Sequence, residues 1–553
     1  ARGPVTGAVE FVPQGERPLV RYWACYGRGL AALDRRNEWW CDQETRTISC
    51  VPEHGVDPNT LPLEGRVRDF AVNLRNCANL RFENLTCFSA GFWLKDCHRV
   101  AFEDCRFLYA ATHKIPLGEF GWFKHFNPND TAPKMPSVYG GASNLFLNCE
   151  FGYCNSPISF SGDGDRVENC YFHDSEWDLL SDGSSGTAVM RNRSKFVRNT
   201  VCRTGNSEGA RSMARGVRIE LNHLYDTGNL QHDGAAINVG TGCQMETVVA
   251  RNWAHDCNRQ GVRFDYHGSG IYREDGKIHG DGVYMRNVSW KTQPNQVKGD
   301  RHLVLNNTVV SVNHYPDPVT ERFNMAVQGF KCMHDIEGNA DSVTRNNLAN
   351  LAHRGWNLDN KNYKDGYKAR GAYVLPGQAD HNVRDAGGAS TYLRDAANWD
   401  FRPKADSPLV DGGAVVKPDE IKSDVTKFEG LAYGGTAPDV GAYEFGDARY
   451  WIPGCKQASA STPIPRNGAV DVPLDADLMF LEAYKCEKHA IYFGESPDRM
   501  KRIRVLKGTS TNIITPPALK LGRTYYWRVD ATPQNGRRNA SPVWSFETSS
   551  KGV

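Results

Sequence analysis

The chain predicts an all-β fold, a solenoid of short stacked strands followed by a small β-sandwich. Three observations predict it. A turn-centred segment recurs with strand-like residues on each side: FENLTCF at Phe82–Phe88, FEDCRF at Phe102–Phe107, FLNCEF at Phe146–Phe151 and VENCYF at Val167–Phe172. It continues more loosely as VRNTV, ELNHLY, ARNWAHD, MRNVSW, LNNTVV and TRNNL to about Leu348. Gly, Asn and β-branched residues interrupt every candidate stretch of helical period across the same region. Beyond residue 460, HAIYFG, TYYWRVDA and VWSFET alternate as the strands of a sandwich do. A short strand-turn unit cannot bury its apolar face alone, whereas stacked copies share one continuous core, and an irregular period of roughly 20 to 45 residues fits such a stack.

The elements follow in order. Residues 1–75 do not repeat, and read as a β-rich segment leading into the solenoid. Within it, Trp39–Trp40, a polar turn over Asp42–Arg46 and then Ile48–Val51 predict a hairpin. The solenoid with its closing segment takes residues 76–455. Asn suits its turns because it tolerates left-handed backbone and its amide can bond the backbone or a stacked neighbour. Two insertions, His113–Tyr139 and Tyr315–Asp341, interrupt the pattern as long loops on one binding face would. The first carries Phe120, Trp122, Phe123 and Phe126, which could be sugar-stacking platforms or a private loop core. A linker, QASASTPIPRNGA, precedes the sandwich at 460–550.

Composition excludes several function classes. The 553 residues carry a formal net charge of +2, so no global field points to nucleic acid or a membrane surface. No basic block interleaved with aromatics occurs, and no apolar run is long enough to span a bilayer. The expectation is a secreted, extracellular or periplasmic protein with no nucleic-acid partner and no membrane insertion. A chain that starts at Ala1 is what a processed secreted protein, or a trimmed one, would look like. None of the sixteen cysteines forms a CxxC pair, which argues against a zinc ribbon or thioredoxin-like site. Cys77, Cys97, Cys105, Cys149, Cys170 and Cys257 follow turn residues; stacked about 4.8 Å apart, they predict a ladder of buried thiols, although the spacing also permits disulfides. Cys41 and Cys50, flanking the hairpin turn, are the better disulfide candidates.

The Asn-turn coils resemble a right-handed parallel β-helix of the carbohydrate-active kind. The stretch from Asp233 to Thr308, with HDGAAINVG, ARNWAHD, QGVRFDYHG and VKGDRHLVLNNT, is similar to β-helical glycoside hydrolases of the α-fucosidase and xylanase type. SPLVDGGA and PDVGAYEFG resemble the closing segment of many secreted β-helix proteins. DVPLDADLMF and TYYWRVDA resemble fibronectin type III-like modules appended to bacterial, often planctomycete, polysaccharide-degrading enzymes. The resemblance implies extracellular glycan chemistry and a polysaccharide or oligosaccharide partner.

Strand alternation then maps who faces outward. Val262 and Phe264 inward put Arg263, Asp265 and His267 outward. Ala235, Ile237 and Val239 inward leave Asn238 and His232 outward, with Asp233 at the turn before Gly234. Val297 inward puts Lys298 outward. Glycoside hydrolysis uses two carboxyl groups about 5–5.5 Å apart for retention and about 6.5–9.5 Å apart for inversion, and neighbouring coils can supply either spacing. Asp265 and Asp233 are the candidate catalytic pair, with Asp178, Asp182 and Glu208 from earlier coils in reserve. His232, Asn238, Arg263, His267 and Lys298 are the candidate substrate-binding residues. An Asp at a coil corner commonly bonds turn amides instead, and exposed Arg or His commonly pairs with a neighbouring carboxylate. A polysaccharide lyase would use the same groove with Lys298 as base and Arg263 neutralising a uronate. A non-catalytic glycan-binding, surface-layer or filament protein, capable of self-assembly, is the third expectation. No cofactor is called for; the carboxylates of Ser161–Asp165 could bind calcium or simply shape a turn.

Overall fold

The computed structural model describes residues 68–110, 136–177, 186–230, 234–240, 242–265, 273–293, 295–310, 324–327, 340–351, 377–383, 391–423, 431–508, 510–533 and 536–550, with short stretches between 30 and 60. Ahead of the repeats, Trp39–Asp42 and Thr47–Cys50 form an antiparallel hairpin. Its turn is held by Asp42 Oδ1, which accepts from the Glu44 and Thr45 amides at 2.9 and 3.2 Å. The disulfide expected here is absent: Cys50 is a free thiol and lies opposite Trp39, while Cys41 lies opposite Ile48. Residues that flank a turn at unequal distance do not meet across it.

The repeat builds a parallel β-helix of three long sheets. Among the described residues, sheet 1 runs from Phe70–Arg75 to Asn350–Leu351, sheet 2 from Arg81–Glu83 to Gln378–Asp380, and sheet 3 from Thr86–Phe88 to Thr308–Val310. Every inter-coil pairing within these sheets is parallel, with side chains in register from coil to coil. Inward residues therefore stack on their own kind. Phe82, Phe102 and Phe146 line up with ring centroids 4.9 and 5.1 Å apart, and Phe107, Phe151 and Phe172 with 5.3 and 4.6 Å. Such offset stacks add to the apolar area that each ring removes from water.

The bend between sheets 2 and 3 explains the recurring motif, and it holds two positions rather than one. The first has left-handed backbone, with φ between 50° and 58°, at Asn84, Asp104, Asn148, Asn169, Arg198, Leu221, Arg251, Arg286, Asn306, Asn346 and His381. The next points inward. In early coils that inward rung is Cys105, Cys149 and Cys170; from Asn199 onward it is Asn199, Asn222, Asn252, Asn287, Asn307, Asn347 and Asn382. Each buried amide donates to the next, as Asn222 Nδ2 does to Asn252 Oδ1 at 3.0 Å and Asn252 Nδ2 to Asn287 Oδ1 at 2.9 Å. The six thiols expected to stack are all free, and all but Cys77 are fully buried.

The outward face of sheet 3 is covered in its later coils. Trp253, His255 and Trp290 pack against Trp399, Phe401, Tyr443 and Tyr450, and Trp253 Nε1 donates to Tyr443 Oη at 3.0 Å. The chain then runs along the same corner. Arg198 donates to the Ile452 carbonyl at 3.1 Å, and the Cys455 and Lys456 amides donate to Thr200 Oγ1 and Asn169 Oδ1 at 3.0 and 2.6 Å. Beyond it, Ser461–Ile464, Leu478–Leu481 and Ile513–Ile514 form one small sheet, and five longer strands between Ala469 and Thr548 the main part of another. Phe480 and Ile514 of the first share a core with Trp527, Val529 and Phe546 of the second.

Candidate functional site

The outward stripe of sheet 1 gathers the polar residues of four consecutive coils. Val262, Phe264, Ile237, Val239 and Val297 sit in the core, which turns Arg263, Asn238 and the residues after Phe264 and Val297 to the outer face. Register places Arg211 beside Asn238 and Asn238 beside Arg263. Asp265 follows one residue past its strand, its amide bonded to the Val239 carbonyl at 2.8 Å; Lys298 does the same on Phe264 at 2.9 Å.

Charge pairing knits these residues together. Lys298 Nζ lies 2.5 Å from Asp265 Oδ1, and Arg263 Nη2 donates to Asp265 Oδ2. On the other side Asn238 Nδ2 donates to Glu208 Oε1, and Arg211 Nη1 lies 3.2 Å from Glu208 Oε2. The sequence suggests an open cleft here, but the cluster is recessed: Asp265 is 4% exposed, Asn238 and Lys298 5%, and Glu208 2%. In such surroundings a charge must be paired to persist, and each of these is. Asp265 thus has one cation on each carboxyl oxygen, Lys298 on Oδ1 and Arg263 on Oδ2.

A second layer fixes the backbone beneath. Gln244, fully buried at the bend between sheets 1 and 2, donates through Nε2 to both the Asp265 and Lys298 carbonyls, at 2.9 and 3.0 Å. His302 accepts from the Gly282 amide through Nδ1 at 3.1 Å, which leaves Nε2–H to donate to the Lys298 carbonyl at 3.0 Å. Burial lowers the His302 pKa to about 4, so the ring stays neutral in this tautomer. Gly299, at φ 118°, has no room for a side chain: a Cβ would lie 2.5 Å from both Gln244 Oε1 and His302 Nε2. Gly234 is equally constrained, since a Cβ there would lie 2.5 Å from Glu208 Cγ.

Of the residues expected from the sequence, Asn238, Arg263, Asp265 and Lys298 are brought together, and Glu208 joins them. His232, Asp233, His267, Asp178 and Asp182 lie outside the described residues, as do Phe120, Trp122, Phe123 and Phe126. Arg211, Gln244 and His302 were not anticipated. Arg211 had a signal, because Ala210 and Ser212 alternate around it as inward residues. Gln244 and His302 had none, since a bend residue's partners depend on coils far apart in sequence. Asp165, the calcium candidate, turns inward instead: it is fully buried and accepts from the Asn144 and Gly162 amides at 3.0 and 2.8 Å. Among the described residues no group of His, Cys, Asp and Glu could hold a metal ion, and no helix is long and apolar enough to cross a membrane.

Several polar atoms of the stripe are buried without a hydrogen-bond partner: Arg211 Nε, Asn238 Oδ1, Gln260 Oε1 and, farther along sheet 1, Trp93 Nε1. Buried polar atoms are nearly always satisfied, so each of these is an open hydrogen-bonding position along sheet 1. Comparison with protein-family models and with characterised proteins finds no match to this chain.

Proposed function

We propose that the protein is a secreted carbohydrate-active enzyme of the β-helical glycoside hydrolase kind, which cleaves a plant or algal polysaccharide on the outer face of sheet 1. The observation that carries this is the presence of two recessed carboxylates, Asp265 and Glu208, on the polar side of one sheet that also holds unsatisfied donors and acceptors. Asp265, paired with Lys298 and Arg263, is the proposed base. Glu208 precedes the strand that lies two steps away in the same sheet. Asp233 remains the proposed acid.

One observation favours a lyase as the second reading. Lys298 and Arg263 converge on one point, an arrangement that suits neutralising a uronate carboxylate while a proton is removed from the neighbouring carbon. Product analysis separates the two. Saturated reducing ends support hydrolysis, and unsaturated ultraviolet-absorbing ends support elimination. Asp265→Asn should lower product release at least about a hundredfold, the scale of a lost general base. Unchanged release would remove Asp265 from the chemistry. A wild-type protein that binds polysaccharide and releases nothing would instead support a glycan-binding or surface-assembly role.

A further inference from the structure

Trp93 continues the outward stripe far beyond the carboxylates. Ladder partners run Trp93–Ser137–Ser159–Val189–Arg211–Asn238–Arg263 across consecutive strands of sheet 1. These six steps, at about 4.8 Å each, span roughly 29 Å. Phe92 and Leu94 on either side of Trp93 are in the core, so the indole faces outward.

The far end of the stripe has its own chemistry. Trp93 is only 8% exposed, yet its indole N–H has no hydrogen-bond partner. A buried donor left unmet is destabilising, and an acceptor from outside would relieve it. The indole stacks on Tyr139, with centroids 6.2 Å apart and planes 16° from parallel, and Tyr139 is 41% exposed. Between the two ends lie the Ser159 and Ser161 hydroxyls, 2.9 Å apart, and then the open Arg211 Nε and Asn238 Oδ1. The stripe thus offers N–H donors, a carbonyl acceptor, hydroxyls and an exposed aromatic ring. A polyhydroxylated ring with an apolar face satisfies that whole set.

We propose that Trp93 and Tyr139 form a distal glycan-binding subsite, so that the protein takes an extended polymer rather than a short oligosaccharide. This rests on the glycan reading of the Asp265 site. The stripe between Trp93 and Arg263, roughly 29 Å long, is several sugar rings in length.

The test is affinity electrophoresis in native gels containing xylan, pectate, alginate or fucoidan, with product release measured in parallel. Trp93→Phe keeps a ring and removes only the N–H; Tyr139→Ala removes an exposed ring and leaves the core untouched. At least one polymer should retard the wild type, and each variant should bind it about tenfold more weakly, the scale of one aromatic contact. A trisaccharide from that polymer, too short to reach both ends, should compete equally well with wild type and Tyr139→Ala. Variants retarded like the wild type would overturn the distal subsite while leaving the proposed function standing. If no polymer retards or is cut by the wild type, the proposed function fails and the subsite with it.

Discussion

The coils before and after Asn199 solve one problem with different chemistry. At the bend between sheets 2 and 3 each coil turns inward and leaves backbone groups to be satisfied inside the core. In the early coils a thiol meets them: Cys170 Sγ donates to the Phe146 carbonyl of the preceding coil at 3.4 Å and accepts the Cys149 amide at 3.4 Å. In the later coils an amide makes the same pattern more tightly. Asn222 Nδ2 donates to the Phe196 carbonyl at 2.8 Å, and its Oδ1 accepts the Asn199 amide at 2.8 Å. The topology is conserved along the solenoid while the currency changes from weak sulfur bonds surrounded by stacked Phe rings to strong amide bonds. Early coils should therefore depend on packing and later coils on polar satisfaction.

That contrast can be broken at its strongest points first. Phe146→Ala, at the end of one ring stack and against Phe151 and Phe160, should cost about 3–5 kcal/mol, read as a loss of chemical-denaturation midpoint. Asn252→Ala should cost about 3 kcal/mol, because it strands the Asn222 amide and the Ile219 carbonyl inside the core. Cys149→Ala, at the equivalent rung, should cost only about 1 kcal/mol. Equal losses at Asn252 and Cys149 would erase the distinction between the two halves.

Acidity separates the halves in opposite directions. Burial raises the Asp165 pKa to about 6, above its unfolded value, so its contribution to stability is full below about pH 4 and lost as pH rises through 6. His223 and His255, whose Nε2 atoms are 2.7 Å apart, are held below the ordinary histidine value, mainly by burial. Their contribution is present above about pH 6.5 and lost as pH falls. Melting temperature followed from pH 4 to 8 should thus gain on the acid side in relative terms with His223→Gln, and flatten between 4 and 6 with Asp165→Asn. A pH profile unchanged by both substitutions would show that neither burial matters.

The smallest expected effect moves the early solution into a later coil. Arg251 is exposed and holds φ 54°, a conformation that Asn adopts more readily. Arg251→Asn should stabilise by up to about 1 kcal/mol, measurable as a small rise in midpoint.

Much of this was legible in the sequence, and its limits have physical causes. Period-two alternation around Val262, Ile237 and Val297 sufficed to turn Arg263, Asn238 and Lys298 outward, because a strand leaves a side chain only two directions. The recurring Asn was legible as a turn, but not as two positions, since FLNCEF and VRNTV align equally well by their asparagines. Register decides: Asn148 takes the left-handed place and Asn199 the inward rung. The support of Asp265 by Gln244, and of Glu208 by Gly234, depended on which coils stack, and local pattern carries no such information.

The contacts of residues 452–456 bear on how the molecule can be divided. Stacked repeats mostly touch their neighbours, and an array of that kind can shed units from its ends. Here Lys456 meets Asn169 and Cys455 meets Thr200, pairs 287 and 255 residues apart, while Tyr443 and Tyr450 roof Trp253. The segment 443–456 is thereby a buckle fastened onto the middle of the chain. Cutting before it would bare a strip of tryptophan and histidine to water, so this stretch is not an expendable end of the stack.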